Sequence, residues 1–125
     1  MLPPGSQTIV IMKQLLLIFT ILFSAPALFA QNNDIKTETF KVEGNCNMCK
    51  KRIENAAFVK GVKRAEWDKE SHVLNVVYRP SKTSATEIAR AVAKVGHSSE
   101  KLEAAEADYK QLPQCCQYKT HSCND

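Results

Sequence analysis

The chain has 125 residues, 44% hydrophobic and 24% charged, an ordinary globular composition with room for one small domain. Its net charge of +4 is mild and spread along the chain, which gives no footprint for nucleic acid and suits docking on an acidic partner surface. With four glycines, no phosphate-cradling loop and no nucleophile–base set, nothing points to an enzyme.

The first thirty residues read as a secretory signal rather than as part of the fold. Residues 14–23, QLLLIFTILF, follow Lys13 and are almost wholly apolar, and Pro26 and the small Ala30 come next. Cleavage is expected after Ala30, with Met12 as an alternative start. An uncleaved anchor is the other reading, but the apolar run is short against the ~20 residues of a membrane span. No cysteine stands at the cleavage point, so a lipid-anchored form is not expected. The mature chain would begin at Gln31 in a periplasmic or secreted setting and keep all five cysteines. There thiols oxidise unless something holds them, and an odd number leaves at least one unpaired.

Residues 31–35 form a flexible leader. KTETFKVEG, 36–44, alternates Phe40 and Val42 with polar residues and predicts a first strand. Residues 47–59 place Ile53, Ala56 and Ala57 at helical spacing, and Gly61 closes that helix. VKRAEWD, 62–68, alternates imperfectly and predicts a second strand. Asp68 to Ser71 make a turn, and the Val-rich HVLNVVY, 72–78, is a third strand ended by Pro80. SKTSATEIARAVAKVG, 81–96, is the clearest helix. Ser84 with Glu87 suggests a capping box, Ile88, Ala91, Val92 and Val95 form a stripe, and Gly96 stops it. SSEKLEA, 98–104, suits a short fourth strand, and AEADYKQL one more helix. PQCCQYKTHSCND is a polar tail with no core pattern. The order strand–helix–strand–strand–helix–strand predicts an α+β, ferredoxin-like βαββαβ sandwich: a four-stranded antiparallel sheet with both helices on one face.

In that fold Cys46 lies in the loop after the first strand and Cys49 in the first turn of the next helix. Both thiols then face one exposed point at a helix N-terminus, which favours thiolates. Lys50, Lys51 and Arg52 add positive charge, although any one of them is better explained as part of a solvated basic face. Two soft thiolates at an open surface suit a low-coordinate soft cation such as Cu(I), whereas a structural Zn(II) site needs four ligands. A lone C-x-x-C is also compatible with a redox pair or a disulfide.

The residues from about Lys36 to Glu103 resemble a heavy-metal-associated domain, the small module of copper chaperones, metal-pumping P-type ATPases and the periplasmic mercuric-ion-binding protein. CNMCKKRIENA resembles that family's Cys-x-x-Cys and following helix, KGVKRAEWD its Gly-Val before strand two, VLNVVYRP its Val-x-Tyr-x-Pro, and EIARAVAKVGH its second helix ending at Gly. The resemblance makes 36–103 the domain and 104–125 an added helix and cysteine-bearing tail. It implies one soft ion, Cu(I) first with Hg(II), Zn(II) or Cd(II) as alternatives, held by Cys46 and Cys49. It also implies exchange with a metal-transporting membrane protein or another carrier, and it allows a metal-bridged homodimer. Two departures stand out. Glu43, Gly44 and Asn45 replace the family's Gly-Met-Thr, whose Met packs beneath the loop, so the loop is expected to be less anchored, with Met48 as a possible substitute or thioether ligand. His97 replaces the usual aromatic after the helix-ending glycine and is a candidate third ligand or a group that tunes the site by protonation near neutral pH, the plainer reading being a loop histidine that makes a hydrogen bond.

The tail stands outside the resemblance. Cys115, Cys116, His121 and Cys123 are soft-metal ligand types that suit a second site or a completed first one. A disulfide from Cys115 or Cys116 to Cys123 is the alternative, since a bridge between adjacent cysteines is strained.

Overall fold

A computed structural model of the chain describes residues 4–22 and 34–120. It divides at residues 32 and 33 into two units. The first contains α1, Pro4–Leu22. Among the described residues no helix is long and apolar enough to cross a membrane. The expected cleavage point after Ala30 lies outside the described residues.

The second unit starts with β1, Lys36–Lys41, then α2, Asn47–Ala57, β2, Val62–Trp67, β3, Val73–Tyr78, and α3, Ala85–Lys94. A short α4, Glu106–Lys110, and a 3-10 turn, Gln114–Cys116, complete it. The strands form one antiparallel sheet in the order β1-β3-β2. β1 pairs with β3 from Lys36↔Tyr78 to Lys41↔Val73, and β2 pairs with β3 from Val62↔Tyr78 to Trp67↔Leu74. Between Val62 and Arg64 the register shifts by one residue, so Lys63 is extra. That bulge is why β2 alternates imperfectly in sequence, with Val62 and then Trp67 turned into the core. Its position sets Trp67, the key residue of the site described below, on the inner face.

The β2–β3 connection is a tight turn built on Asp68, whose Oδ1 accepts from the Ser71 N–H at 2.7 Å and the Ser71 hydroxyl at 2.8 Å. α3 begins at Ser84, whose hydroxyl accepts the Glu87 N–H at 3.2 Å. Only half of the expected capping box forms, because the Glu87 carboxylate pairs with Arg90 instead of reaching back. The buried residues of α3 are Ala85, Ile88, Ala89, Val92 and Ala93, while Ala91 and Val95 of the expected stripe are only half-buried. Ala85, Ile88, Ala89 and Val92, with Cys49, Ile53 and Ala57 of α2, share one core with Phe40, Val42, Trp67, Leu74, Val76 and Tyr78.

The fourth strand of the expected sandwich is a correction. Among the described residues the sheet has three strands, and residues 98–104 contribute one isolated bridge, Val42↔Ser99. Serine side chains explain the early end. Ser99 Oγ accepts the N–H groups of Lys101 and Leu102, and Ser98 Oγ accepts that of Ala104. These local bonds turn the backbone away from a ladder. The Glu100 carboxylate then takes the Lys41 N–H of the β1 edge at 3.0 Å.

The tail is the second difference. Tyr109 and Leu112, from the segment expected to form one more helix, belong to the core, and so does Cys116, from the tail that shows no core pattern.

Candidate metal site

Gly44 and Asn45 lead from the end of β1 to Cys46, the N-cap of α2 in extended conformation, whose carbonyl accepts the Lys50 N–H. Cys49 follows in the first turn, so both thiols meet at the helix N-terminus with their Sγ atoms 3.4 Å apart. Cys49 donates to Asn45 Oδ1 at 3.2 Å, and Cys46 Sγ lies 3.7 Å from the Cys115 carbonyl oxygen.

The floor of this loop is Trp67, expected as an alternating apolar position of the second strand but with no role at the cysteines. It is 1% exposed, and its Nε1 donates to the Val42 carbonyl at 3.0 Å. A Cβ at Gly44 would lie 3.0 Å from Trp67 Cζ2 and 3.1 Å from Cys49 Cβ. Gly44 therefore lets the loop rest directly on the indole. The loop is anchored, contrary to expectation, and Trp67 does the anchoring that Met48 was offered for. Met48 is half exposed, and its Sδ lies 3.5 Å from Cys115 Sγ. The available signal was the single tryptophan of the chain at the end of a strand, opposite a glycine.

Two of the three basic residues after the cysteines are tied to the fold. Lys50 bridges Glu54 at 2.6 Å and the Trp67 carbonyl at 2.7 Å, and the same Glu54 oxygen accepts the Trp67 N–H. Arg52 Nη2 donates to the Val95 carbonyl, at the negative end of α3. Lys51 is exposed.

The expectation of an exposed pair is also corrected. Cys46 is 4% exposed and Cys49 is fully buried, because the tail covers them. The tail brings Cys116, itself fully buried, to the pair. The Sγ atoms of Cys46, Cys49 and Cys116 all lie within 4.8 Å of one another, and this trio can hold a metal ion. None of the four described cysteines is in a disulfide. Burial pushes the Cys49 thiol up, with the Asn45 contact working against it. Burial, then the neighbouring Cys49, pushes Cys116 up further. Cys115 is half-buried beside Met48 and outside the trio.

His97 sits under the loop and outside that trio. It is fully buried, its Nδ1 lies 2.8 Å from the Glu43 carbonyl oxygen, and its ring stacks on Tyr118 at 5.8 Å. A carbonyl only accepts, so Nδ1 carries the proton. Nε2 is buried without a hydrogen-bond partner. Burial, reinforced by Arg52, lowers its pKa from 6.5 to about 4. His121 and Cys123 lie outside the described residues.

No protein-family model matches the chain, and no curated protein matches it. Solved structures do. Oxidized MerP from Ralstonia metallidurans CH34 is 28% identical with a TM-score of 0.51, over 54% of this chain and 96% of its own. The N-terminal domain of a potential copper-translocating P-type ATPase from Bacillus subtilis, in its Cu(I)-loaded state, is 29% identical with a TM-score of 0.51, over 57% of this chain and 90% of its own. A putative copper-ion-binding protein from Bacillus anthracis str. Ames shares the fold at 21% identity and a TM-score of 0.52, over 54% of this chain and 99% of its own. Each neighbour is matched almost whole, while nearly half of this chain lies outside each match. The structural neighbours of this chain are thus heavy-metal-associated-domain proteins, the family that its Cys46–Cys49 loop and flanking elements resemble.

Proposed function

We propose that this chain binds one soft heavy-metal ion, Cu(I) first, through Cys46 and Cys49, and carries or sequesters it outside the cytoplasm by ligand exchange. The observation that carries this reading is the pair of thiols 3.4 Å apart at the N-terminus of α2. Soft thiolates prefer soft ions, and Cu(I) accepts few ligands. Hg(II) suits the same donors, and the neighbours named above include both a copper-translocating ATPase domain and MerP. The extracytoplasmic setting is supported by the basic, apolar and small-residue pattern of 13–30. The partners would be a metal-transporting membrane protein or another carrier, and no catalysed reaction is expected.

A thiol–disulfide exchange role is less well supported. Such a role needs an accessible, low-pKa thiolate, and Cys49 is buried with its thiol pushed up. Ion binding meets the same burial differently, because the metal itself displaces the thiol protons.

The test is an anaerobic titration of the reduced mature protein with Cu(I) against a competing chelator. One tightly bound equivalent, lost in Cys46→Ser/Cys49→Ser, is the expected result. Equal binding by wild type and double variant overturns the reading.

A further inference from the structure

Resting on that reading, we infer that the tail supplies the third ligand: Cys116 joins Cys46 and Cys49 in a three-coordinate, all-thiolate site for a soft d10 ion, closed from above by residues 112–118. The three Sγ atoms already lie within 4.8 Å of one another. A metal–sulfur bond of about 2.3 Å places trigonal sulfurs about 4.0 Å apart, so the cluster needs adjustments of under about an ångström. The other described candidates are placed elsewhere. Neither ring nitrogen of His97 falls within the cluster, and Cys115 turns its sulfur to Met48.

Cys116 is delivered by a built structure and not by a loose end. Tyr118 Oη accepts the Ser98 N–H and donates to the Gly96 carbonyl, both at 3.0 Å. Its ring lies between His97, stacked, and Tyr109, edge-on. Lys119 N–H donates to Tyr109 Oη at 3.1 Å, and Gln117 Nε2 to the Leu112 carbonyl at 3.2 Å. Leu112 is 3% exposed and packs on Gly96. These contacts tie the tail to the end of α3, on the side of the domain where the metal loop lies.

Loading is an exchange of protons for metal. The three thiols release three protons as three sulfur–metal bonds form, leaving a doubly negative complex with Cu(I) and a singly negative one with Hg(II). The N-terminus of α2 faces this charge. Unloading follows from the same geometry. An acceptor's thiol bonds to the ion as the Cys116–metal bond breaks, and the acceptor's proton passes to Cys116. No oxidant or reductant is needed. The tail is then the part that must lift, and Cys46 and Cys49 keep the ion until the acceptor's second ligand arrives.

The test is X-ray absorption of the full mature chain loaded with substoichiometric Cu(I), and separately Hg(II), without added thiol. Wild type and Cys115→Ser should show three sulfurs around the ion. Cys116→Ser and Cys116→Val, the second chosen to keep the buried site apolar, should each show two. Proton release on loading should fall from three to two per ion in the same variants. Sedimentation of each sample fixes whether a second chain donates sulfur. Two sulfurs in wild type, three retained in both Cys116 variants, or three found only in a metal-bridged dimer would overturn this proposal while leaving the Cys46–Cys49 reading intact. Undiminished binding in Cys46→Ser/Cys49→Ser would overturn both.

Discussion

The Cys46–Cys49 loop and the tail meet at one place but are built by different means. The loop stands on periodic elements: β1 brings the chain toward Gly44, and Cys46 caps the start of α2. The tail has five helical residues in α4, a single 3-10 turn, and otherwise individual contacts. Periodicity places an element, whereas single contacts place a residue. Thiols brought to one place can thus differ in how firmly the fold commits them, with Cys46 and Cys49 set by the framework and Cys116 by an attachment.

The largest expected effect comes from the framework side. Cys46→Ser/Cys49→Ser should lower soft-ion affinity by more than the roughly 10–100-fold that loss of an outer-shell partner costs, measured by chelator competition. Next is the floor. Trp67→Ala should cost about 3–5 kcal/mol in urea unfolding, the range for removing a large buried aromatic, and should expose the metal loop to faster hydrogen exchange. A loss well below that range would mean that the loop does not rest on the indole.

Burial of His97 makes stability depend on pH. Its pKa is about 4 in the fold against 6.5 for the free group. As pH falls the unfolded chain takes up the proton first, so the favoured neutral state is intact above 6.5. Stability is lost progressively between 6.5 and about 4, by up to about 3 kcal/mol for this group at about 1.4 kcal/mol per pH unit. Urea midpoints across that interval should fall, and His97→Asn, with an amide to face the Glu43 carbonyl, should flatten the dependence. An unchanged slope in the variant contradicts the placement of the ring.

Two smaller changes probe the attachment. Gly96 has a φ of +98° and would put a Cβ 2.7 Å from Leu112 Cγ and 2.8 Å from the Asp108 carbonyl oxygen. Gly96→Ala should cost about 1–3 kcal/mol and loosen residues 106–118 first, read as raised amide exchange there with β1–β3 unchanged. Tyr118→Phe removes the donor to the Gly96 carbonyl and the acceptor of the Ser98 N–H. It should cost about 1–2 kcal/mol and make the Cys116 thiol more reactive to an alkylating reagent. If tail and loop instead loosen together in both variants, the two regions are one cooperative unit.

Much of the framework was legible because its signals repeat. Phe40 and Val42 at spacing two, Ile53 with Ala57, and Ser84 before the Ile88–Val92 stripe each name an element and a face. The cysteine pair was legible because both partners lie within one turn. Trp67 was not, because the Lys63 bulge decides which face it meets, and a bulge leaves only a faint irregularity in the pattern. The missing fourth strand turned on two serine hydroxyls choosing local backbone partners. The burial of the pair, and the arrival of Cys116, depended on Tyr118, Leu112 and Gly96 meeting across the fold. No spacing in the tail records that meeting.

The most direct measurement is a crystal structure of the reduced mature protein loaded with one equivalent of Cu(I), read from the metal's anomalous scattering. A single peak is expected about 2.2–2.3 Å from the sulfurs of Cys46 and Cys49, above the Trp67 indole. A peak bound elsewhere, with Cys46 and Cys49 unligated, would contradict it.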